Sequence, residues 1–300
     1  MEIRDLVYFL QAAHSGHFGR AATALGLTQP ALTKCIARLE RELNAPLFER
    51  TPRGVKLTYF GEHALRNAQR LKTAFDDVRK ELADISNGSR GHLQIGTGLA
   101  MAQNLVPEAC IRLTTLFPAI TLQIIPGTGR SLAPLLLEGQ IDLVFSGIPA
   151  EPEPGLAHEL IMEDQLVVVA RHTHPLRRKR GITVHDLSAA RWVLPKPGSL
   201  STTWLERRFL ELGASPPKPT VETDSVSALL AMVAESDLLT FQSWPSIRRS
   251  PLHSVLRPLD TPSLVWSRRV GATYRAGGYL PSAGKHLIRL FKEVAVEDSA

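Results

Sequence analysis

The sequence predicts a chain of three parts: a small helical unit that ends in a two-stranded β-extension, a long helix, and an α/β region of two similar units. Three observations support this fold class. Residues 3–43 carry apolar side chains at helical spacing, residues 68–85 carry an apolar stripe with a 3.5-residue period, and strands alternate with helices from residue 91 onward. A length of 300 residues fits a division into more than one domain.

Composition excludes several classes of protein. The chain is 44% hydrophobic and 21% charged, as globular proteins are, and its two cysteines cannot form a disulfide framework. No apolar run approaches the roughly 18 residues of a membrane span. Residues 1–5 lack the basic and then apolar layout of a signal peptide. We therefore expect a cytoplasmic protein with no membrane partner.

Positive charge is concentrated near the N-terminus. The formal net charge is +6, and residues 18–58 hold seven Lys and Arg against three Asp and Glu. A compact basic unit is typical of proteins that bind a polyanion, most often nucleic acid. A solvated basic surface without a partner is the alternative. Charge alone does not distinguish the two, so the distinction rests on the sequence pattern.

The N-terminal pattern predicts three helices, over residues 3–14, 18–25 and 29–43. Gly26 tolerates a positive φ in the turn between the second and third helices. Ala22 supplies the small side chain that two steeply crossing helices need at their closest contact. Thr28 can cap the third helix, and Pro30 fits its first turn. The wedge between the helices is filled by Leu25, Leu27, Leu32 and Ile36. This layout predicts a helix-turn-helix.

The outer face of the third helix carries side chains suited to reading DNA. Glutamine pairs bidentately with adenine, and arginine pairs with guanine or phosphate. A strand-turn-strand pattern over residues 46–58 predicts a β-wing whose arginines touch the sugar-phosphate backbone. The alternative is that this helix face is polar only because it is exposed to solvent. The layout of the turn before the helix disfavours that alternative. The candidate DNA-binding residues are Arg20, Thr28, Gln29, Pro30, Thr33, Lys34, Arg38, Arg50 and Arg53.

The long helix carries the seam of a coiled coil. Steps of three and four residues separate Ala68, Leu71, Phe75, Val78, Leu82 and Ile85. We expect Thr58 to cap this helix and residues 87–89 to end it. Because a stripe between two domains needs a partner, we predict a homodimer through residues 60–86; packing of the helix on its own domain is the alternative.

From residue 91 the pattern predicts two Rossmann-like units with parallel strands. The first has strands over 93–97, 120–125 and 141–145 and helices over 103–117 and 130–138. The second has strands over 166–170, 192–194, 220–222 and 238–241 and helices over 201–212 and 225–236. An extended segment over 264–274 and a helix over 281–296 follow. Two such units with a ligand between them describe a periplasmic-binding-protein-like sensor.

Residues 18–61 closely resemble the winged helix-turn-helix of LysR-type transcriptional regulators. The segment FGRAATALGLTQPALTKCIARLERELNAPLFERTPRGVKLTYFG contains A-A-x-x-L, hydroxyl-Gln-Pro-Ala, L-E-x-x-L, L-F-x-R and L-T-x-x-G. Thr28 and Thr33 stand where serine is usual, Asn44 where glycine is usual, and Phe60 where alanine is common. The segments GHLQIGTG, LVPEACIRLTTLFPAITLQI, LLEGQIDLVFSG and HPL resemble the sensor domain of the same family.

The resemblance implies a DNA-binding domain, a linker and dimerisation helix, and an effector-binding domain, over residues 1–58, 59–90 and 91–300. Subdomain I of the last covers about 91–163 and 269–300, and subdomain II covers about 164–268. The implied partners are double-stranded promoter DNA, a second copy of the chain in a dimer or tetramer, and a small-molecule effector. We expect an anionic or aromatic metabolite as the effector, and RNA polymerase is a further candidate partner.

Candidate effector-binding residues follow the carboxyl ends of the predicted strands, where helix N-termini offer free N–H groups to an anion. The resemblance implies that Ala100 and Thr128 occupy the family's two effector-contact positions. Helix capping is the alternative role for each Ser or Thr hydroxyl. The candidates are Thr97, Gly98, Leu99, Ala100, Thr128, Ser146, Gly147, Ser199, Ser201 and Thr223.

The sequence carries no catalytic or cofactor motif. It has no G-x-S-x-G, P-loop or H-E-x-x-H, and residues 96–98 lack the third glycine of a dinucleotide fingerprint. His172 and His174 lack further metal ligands nearby, and Cys35 and Cys110 are expected to be inert thiols. We predict a non-enzymatic regulator without cofactor or metal. The rival is a solute-binding or metabolic module whose N-terminal unit contacts proteins.

Overall fold

The computed structural model describes residues 1–87, 91–103, 105–151 and 153–299, and the chain divides into two compact units, residues 1–81 and 82–300. The predicted end of the long helix at residues 88 and 89 lies outside the described residues. The predicted three-part division, with boundaries after residues 58 and 90, stays a prediction.

The first unit contains three short helices and a β-hairpin. Its elements are α1 (Ile3–Ser15), α2 (Phe18–Ala24), α3 (Gln29–Leu43), β1 (Phe48–Thr51) and β2 (Gly54–Leu57). The core between them buries Phe9, Ala12, Ala22, Leu32, Ile36, Leu39 and Leu47. The three predicted helices are therefore confirmed to within one residue at each end.

Local sequence signals set the bounds of α3. Gly26 adopts a φ of 66° in the turn before it. The Thr28 hydroxyl accepts a hydrogen bond from the Ala31 amide at 3.4 Å and caps the helix. Asn44 ends the helix at a φ of 50°, in the left-handed region that favours glycine or asparagine.

A backbone contact fixes the wing to the turn between α1 and α2. The Val55 amide donates to the Gly16 carbonyl at 2.9 Å. A Cβ on Gly54 would lie 2.3 Å from the same oxygen, and Gly54 has a φ of 137°. Only glycine fits at this point of the hairpin, so the position of the wing depends on that residue.

The long helix α4 (Tyr59–Asn87) has 29 residues and is therefore about 43 Å long. The Thr58 hydroxyl accepts from the Gly61 amide at 3.0 Å, as the predicted cap should. Ala68, which we predicted at the start of the seam, packs instead in the core of the first unit. The remaining seam residues are 44–75% exposed: Leu71, Phe75, Val78, Leu82 and Ile85.

The second unit is built on one mixed sheet. Its first half holds β3 (His92–Gly98), α5 (Leu105–Leu116), β4 (Thr121–Gly127), α6 (Gly129–Leu137) and β5 (Leu143–Gly147). The chain continues through β6 (Leu156–Arg171), α7 (Val184–Ala189), β7 (Arg191–Leu194), α8 (Leu200–Glu211), β8 (Pro219–Glu222), α9 (Val226–Ala234) and β9 (Leu238–Ser243). It ends with α10 (Trp244–Arg248), β10 (Leu256–Pro258), β11 (Trp266–Arg275) and α11 (Ser282–Ser299).

In the described part of the chain the strand order is β4-β3-β5-β11-β6-β9-β7-β8, with β10 paired to β6. The trios β4-β3-β5 and β9-β7-β8 are each parallel, as predicted. The strands β6 and β11 lie between these trios and pair antiparallel with each other, and β6 also pairs antiparallel with β9. The prediction that residues 166–170 form one of the parallel strands of the second unit is therefore wrong, because these residues are the end of the long strand β6, which pairs with the returning strand β11. Their pairing has a bulge at Val270 and Gly271, where a Cβ on the glycine would lie 2.2 Å from the Glu159 carbonyl.

Candidate DNA-binding surface and ligand cavity

One shallow groove on α3 brings four of the predicted DNA-binding residues together. It is lined by Gln29, Pro30, Thr33, Lys34 and Ala37. Gln29 and Lys34 are exposed, and the Lys34 ammonium makes no hydrogen bond or ion pair within the described residues. The groove therefore presents an amide, a hydroxyl and an uncompensated charge on one face of a helix.

The wing adds two further free cations. Arg50 on β1 and Arg53 in the turn are exposed, and neither forms an ion pair with any described residue. A guanidinium in this state can make two parallel hydrogen bonds to a phosphate. Arg20 differs because its Nη2 donates to the Ser15 carbonyl at 2.7 Å, which ties it to the end of α1.

Arg38 has a structural partner that the sequence did not reveal. Its Nη2 donates to a carboxylate oxygen of Asp5, a residue only 3% exposed on α1. Burial alone would raise the pKa of Asp5, but the Glu2 amide and Arg38 outweigh it and lower the pKa. Loss of Arg38 would therefore leave a buried carboxylate with the Glu2 amide but without its charged partner, which makes this residue a poor probe of DNA contact.

A cavity of about 80 Å³ lies where the two halves of the second unit meet, and we call it the effector cavity. Eight of the ten predicted residues line it: Gly98, Leu99, Ala100, Thr128, Ser146, Gly147, Ser199 and Ser201. Thr97 is fully buried beside it and donates to the Gly98 carbonyl at 3.2 Å. Thr223 lies outside it and accepts from the Ser225 amide at 3.1 Å.

Several hydroxyls at the effector cavity also cap helices. The Ser199 hydroxyl accepts from the Thr202 amide at 3.1 Å at the start of α8. Ser131, which lies just outside the lining of the cavity, accepts from the Thr128 amide at 3.0 Å at the start of α6. The alternative role of helix capping is thus present for Ser199. The N-terminal, positive ends of α6 and α8 both lie at the cavity, since Gly129 and Leu200 line it.

Arg268 is the charged residue of the effector cavity that sequence reasoning missed. It lies on β11, and its Nε and Nη2 donate to the Asp164 carboxylate on β6 at 2.9 and 2.7 Å. Ser243 donates to the other oxygen of Asp164 at 2.6 Å. The Asp164 side chain is completely buried and that of Arg268 is 13% exposed. No local pattern distinguishes Arg268 from the neighbouring Arg269, so only the strand pairing identifies it.

His174 and Cys110 have surroundings that differ from those of a metal or redox site. His174 accepts from the Leu176 amide at 3.1 Å, and its Nε2 lies 3.3 Å from the Asp237 carbonyl. No group of three His, Cys, Asp or Glu in the described ranges could hold a metal ion. Burial raises the pKa of the Cys110 thiol to about 11.

Within the described ranges no helix is both long and apolar enough to cross a membrane.

Two family models match the chain. Residues 3–62 match the bacterial regulatory helix-turn-helix protein of the lysR family, and residues 86–296 match the LysR substrate binding domain. The chain therefore belongs to the LysR family of transcriptional regulators, DNA-binding proteins with an effector-binding domain. The predicted family, fold class and function are confirmed.

Named relatives agree with this assignment. The chain is 35% identical over 229 residues to the HTH-type transcriptional regulator GbpR of Rhizobium radiobacter, covering 75% of each chain. It is 33% identical over 242 residues to the SDS degradation transcriptional activation protein of Pseudomonas sp. (strain ATCC 19151), covering 80% of this chain and 78% of that protein. Both are transcriptional regulators by name.

Solved structures show the same fold over nearly the whole chain. A full-length OxyR variant from Pseudomonas aeruginosa is 26% identical, with a TM-score of 0.68, and the match covers 97% of this chain and 95% of that one. Full-length CbnR complexed with its target DNA is 20% identical, with a TM-score of 0.64, and the match covers 98% and 100%. The second likeness is one of fold alone.

Proposed function

We propose that this regulator binds operator DNA as a homodimer through α3 and the wing, and that an anionic metabolite in the effector cavity changes this binding. The observation that carries the proposal is the composition of the cavity wall. Thr128 and Ser146 come from one half of the effector domain, and Ser199 and Ser201 come from the other. A ligand that touches both halves has different affinities for their open and closed arrangements, and so shifts the equilibrium between them.

The electrostatics of the effector cavity favour a negative group. The N-termini of α6 and α8 lie at it, since Gly129 and Leu200 line the cavity, and helix N-termini favour bound anions. Arg268 adds a guanidinium whose charge is matched by Asp164, so a bound anion meets hydrogen-bond donors without a strongly repelling carboxylate. An organic acid fits these donors better than a cation or a fully apolar molecule.

The exposed seam of α4 supports a homodimer. Leu71, Phe75, Val78, Leu82 and Ile85 keep a coiled-coil period and remain accessible in the single chain. Two copies joined along this seam would present two α3 helices to two half-sites of a pseudo-palindromic operator. Neither half of the proposal assigns a catalytic step to the protein.

The DNA-binding half is tested by Gln29→Ala. Because a bidentate contact to a base is worth about 1–3 kcal/mol, affinity for the operator should fall roughly 5- to 150-fold, while affinity for random duplex DNA stays the same. Fluorescence anisotropy with labelled operator and random duplexes measures both. Arg41→Ala, at the far end of the same helix, serves as the control. Unchanged operator affinity in the Gln29 variant would reject this residue as a base-reading contact.

A further inference from the structure

A second and larger cavity adjoins the effector cavity. It has a volume of about 610 Å³, within the range of small-molecule sites. The two cavities share five wall residues: Gly129, Ser146, Gly147, Ser199 and Leu200. Leu200 lies on their border, where its Cδ1 would be 3.4 Å from a Cβ on Gly147. The two spaces are therefore neighbouring parts of one cleft, with Leu200 on their shared wall.

The wall of the second cavity is largely apolar, and we call it the apolar chamber. Its apolar residues come from several elements and include Leu132, Leu136, Val144, Leu156, Trp204 and Trp266. The Trp204 ring is stacked on both Trp266 and Phe241, with 5.4 Å between centroids in each pair. This stack fixes one wall of the chamber, so the space does not collapse by a simple side-chain rotation.

The charged groups bordering the apolar chamber are exposed to solvent: Arg130, Glu153 and Arg207. His158 is half-buried in the wall, with its Nδ1 2.9 Å from the Thr273 hydroxyl. Burial, followed by the charge of Arg269, lowers the pKa of His158 despite the opposing charge of Glu153, so the imidazole is neutral near pH 7. Its Nε2 is buried and makes no hydrogen bond to any described residue. The interior of the chamber therefore suits an uncharged and mainly apolar group, with one polar atom of the wall open to a hydrogen bond.

The two ends of the cleft differ in character. On the side away from the apolar chamber, the effector cavity adjoins a polar surface that includes Ser131, Lys196, Asp224 and Ser225. The effector cavity is the smaller of the two spaces, at about 80 Å³ against about 610 Å³ for the apolar chamber. An effector whose apolar body is too large for this cavity can extend into the adjoining chamber, whose wall is more apolar than the polar surface on the other side.

We propose that the effector is an amphipathic organic acid. Its anionic head lies in the effector cavity beside Arg268, and its apolar chain or ring occupies the apolar chamber. This inference rests on the proposed function, because it specifies the class of ligand for the same cleft. Recognition of the head comes from the helix N-termini and Arg268, whereas most of the affinity comes from burial of the apolar body.

The test uses the full-length protein and straight-chain carboxylates from butanoate to decanoate, titrated by calorimetry. Burial of one methylene contributes about 0.8 kcal/mol, so affinity should rise roughly four-fold with each added carbon. Thr203→Trp places a large side chain in the chamber from an exposed position of α8. It should abolish the dependence on chain length, with the largest loss of affinity for decanoate and the smallest for butanoate. Glu206→Trp, exposed on the same helix and outside the chamber lining, should behave like the unmodified protein.

Three results would overturn the inference: equal affinity for all chain lengths, an unchanged length dependence in Thr203→Trp, or no binding by any acid of the series. Operator binding measured on the same samples distinguishes failure of the inferred ligand class from failure of the proposed function. If operator binding persists while the length dependence is absent, only the ligand class is wrong. If operator binding is absent as well, the proposed function fails with it.

Discussion

Replacement of Asp164 by alanine is expected to lower the free energy of unfolding of the effector domain by about 3–5 kcal/mol, because it leaves a buried charge without its partner. The guanidinium of Arg268 is 13% exposed and directs two hydrogen bonds to Asp164. The hydroxyl of Ser243 loses its acceptor at the same time. For a domain of this size the melting temperature should fall by roughly 6–20 °C, measured by circular dichroism or calorimetry.

A double variant distinguishes the loss of pairing from the loss of packing. Asp164→Leu combined with Arg268→Met removes both charges and keeps apolar volume, so most of the stability should return. Effector binding should not return, because the guanidinium that faces the effector cavity is gone. An Asp164→Ala variant that melts at the same temperature as the unmodified protein would contradict a buried, paired role for this carboxylate.

A charge in the seam of α4 is expected to have the second large effect. Phe75→Glu places a carboxylate at the centre of the predicted dimer interface, where burial of an unpaired charge is strongly unfavourable. The homodimer should dissociate, and operator affinity should fall by about 10²- to 10⁴-fold because two half-sites are no longer bound by one molecule. Analytical ultracentrifugation and anisotropy measure the two consequences separately.

The control for the seam lies on the same helix. Arg70→Glu changes the charge by two units at an exposed position outside the apolar stripe. This variant should remain dimeric, so a shared loss of dimer in both variants would point to a general effect of charge on α4. A Phe75→Glu variant that sediments as a dimer would place the dimer interface elsewhere.

The DNA-binding unit was predictable because its determinants are local. Gly26, Thr28 and Asn44 each act within a few residues of their own position, through a turn, a cap and a helix end. The exposed seam of α4 was predictable for the same reason, since a period of 3.5 is visible in any long helix. Ala68 was wrongly assigned to the exposed seam, because periodicity identifies the residues on one face of a helix but not the segment that packs against that face.

The effector domain contains features that local sequence patterns do not predict. The parallel strands and their polar ends were predictable, but the first half of β6 was missed because its residues are mostly half-buried and lack a long apolar run. The Asp164–Arg268 pair was missed because its members are 104 residues apart and meet only through the pairing of β6 with β11. The apolar chamber has the same origin, since α6, α8 and both long strands contribute to its wall.

The most direct test of the central claim is selection of bound duplexes from a random-sequence DNA library by the full-length protein. We expect enrichment of one pseudo-palindromic site whose two half-sites are about one helical turn apart or a multiple of it. Affinity for that site should fall steeply as salt rises, because free cations such as Lys34, Arg50 and Arg53 contact phosphates. Failure to enrich any sequence, together with salt-independent self-association, would contradict the account and favour a module whose N-terminal unit contacts proteins.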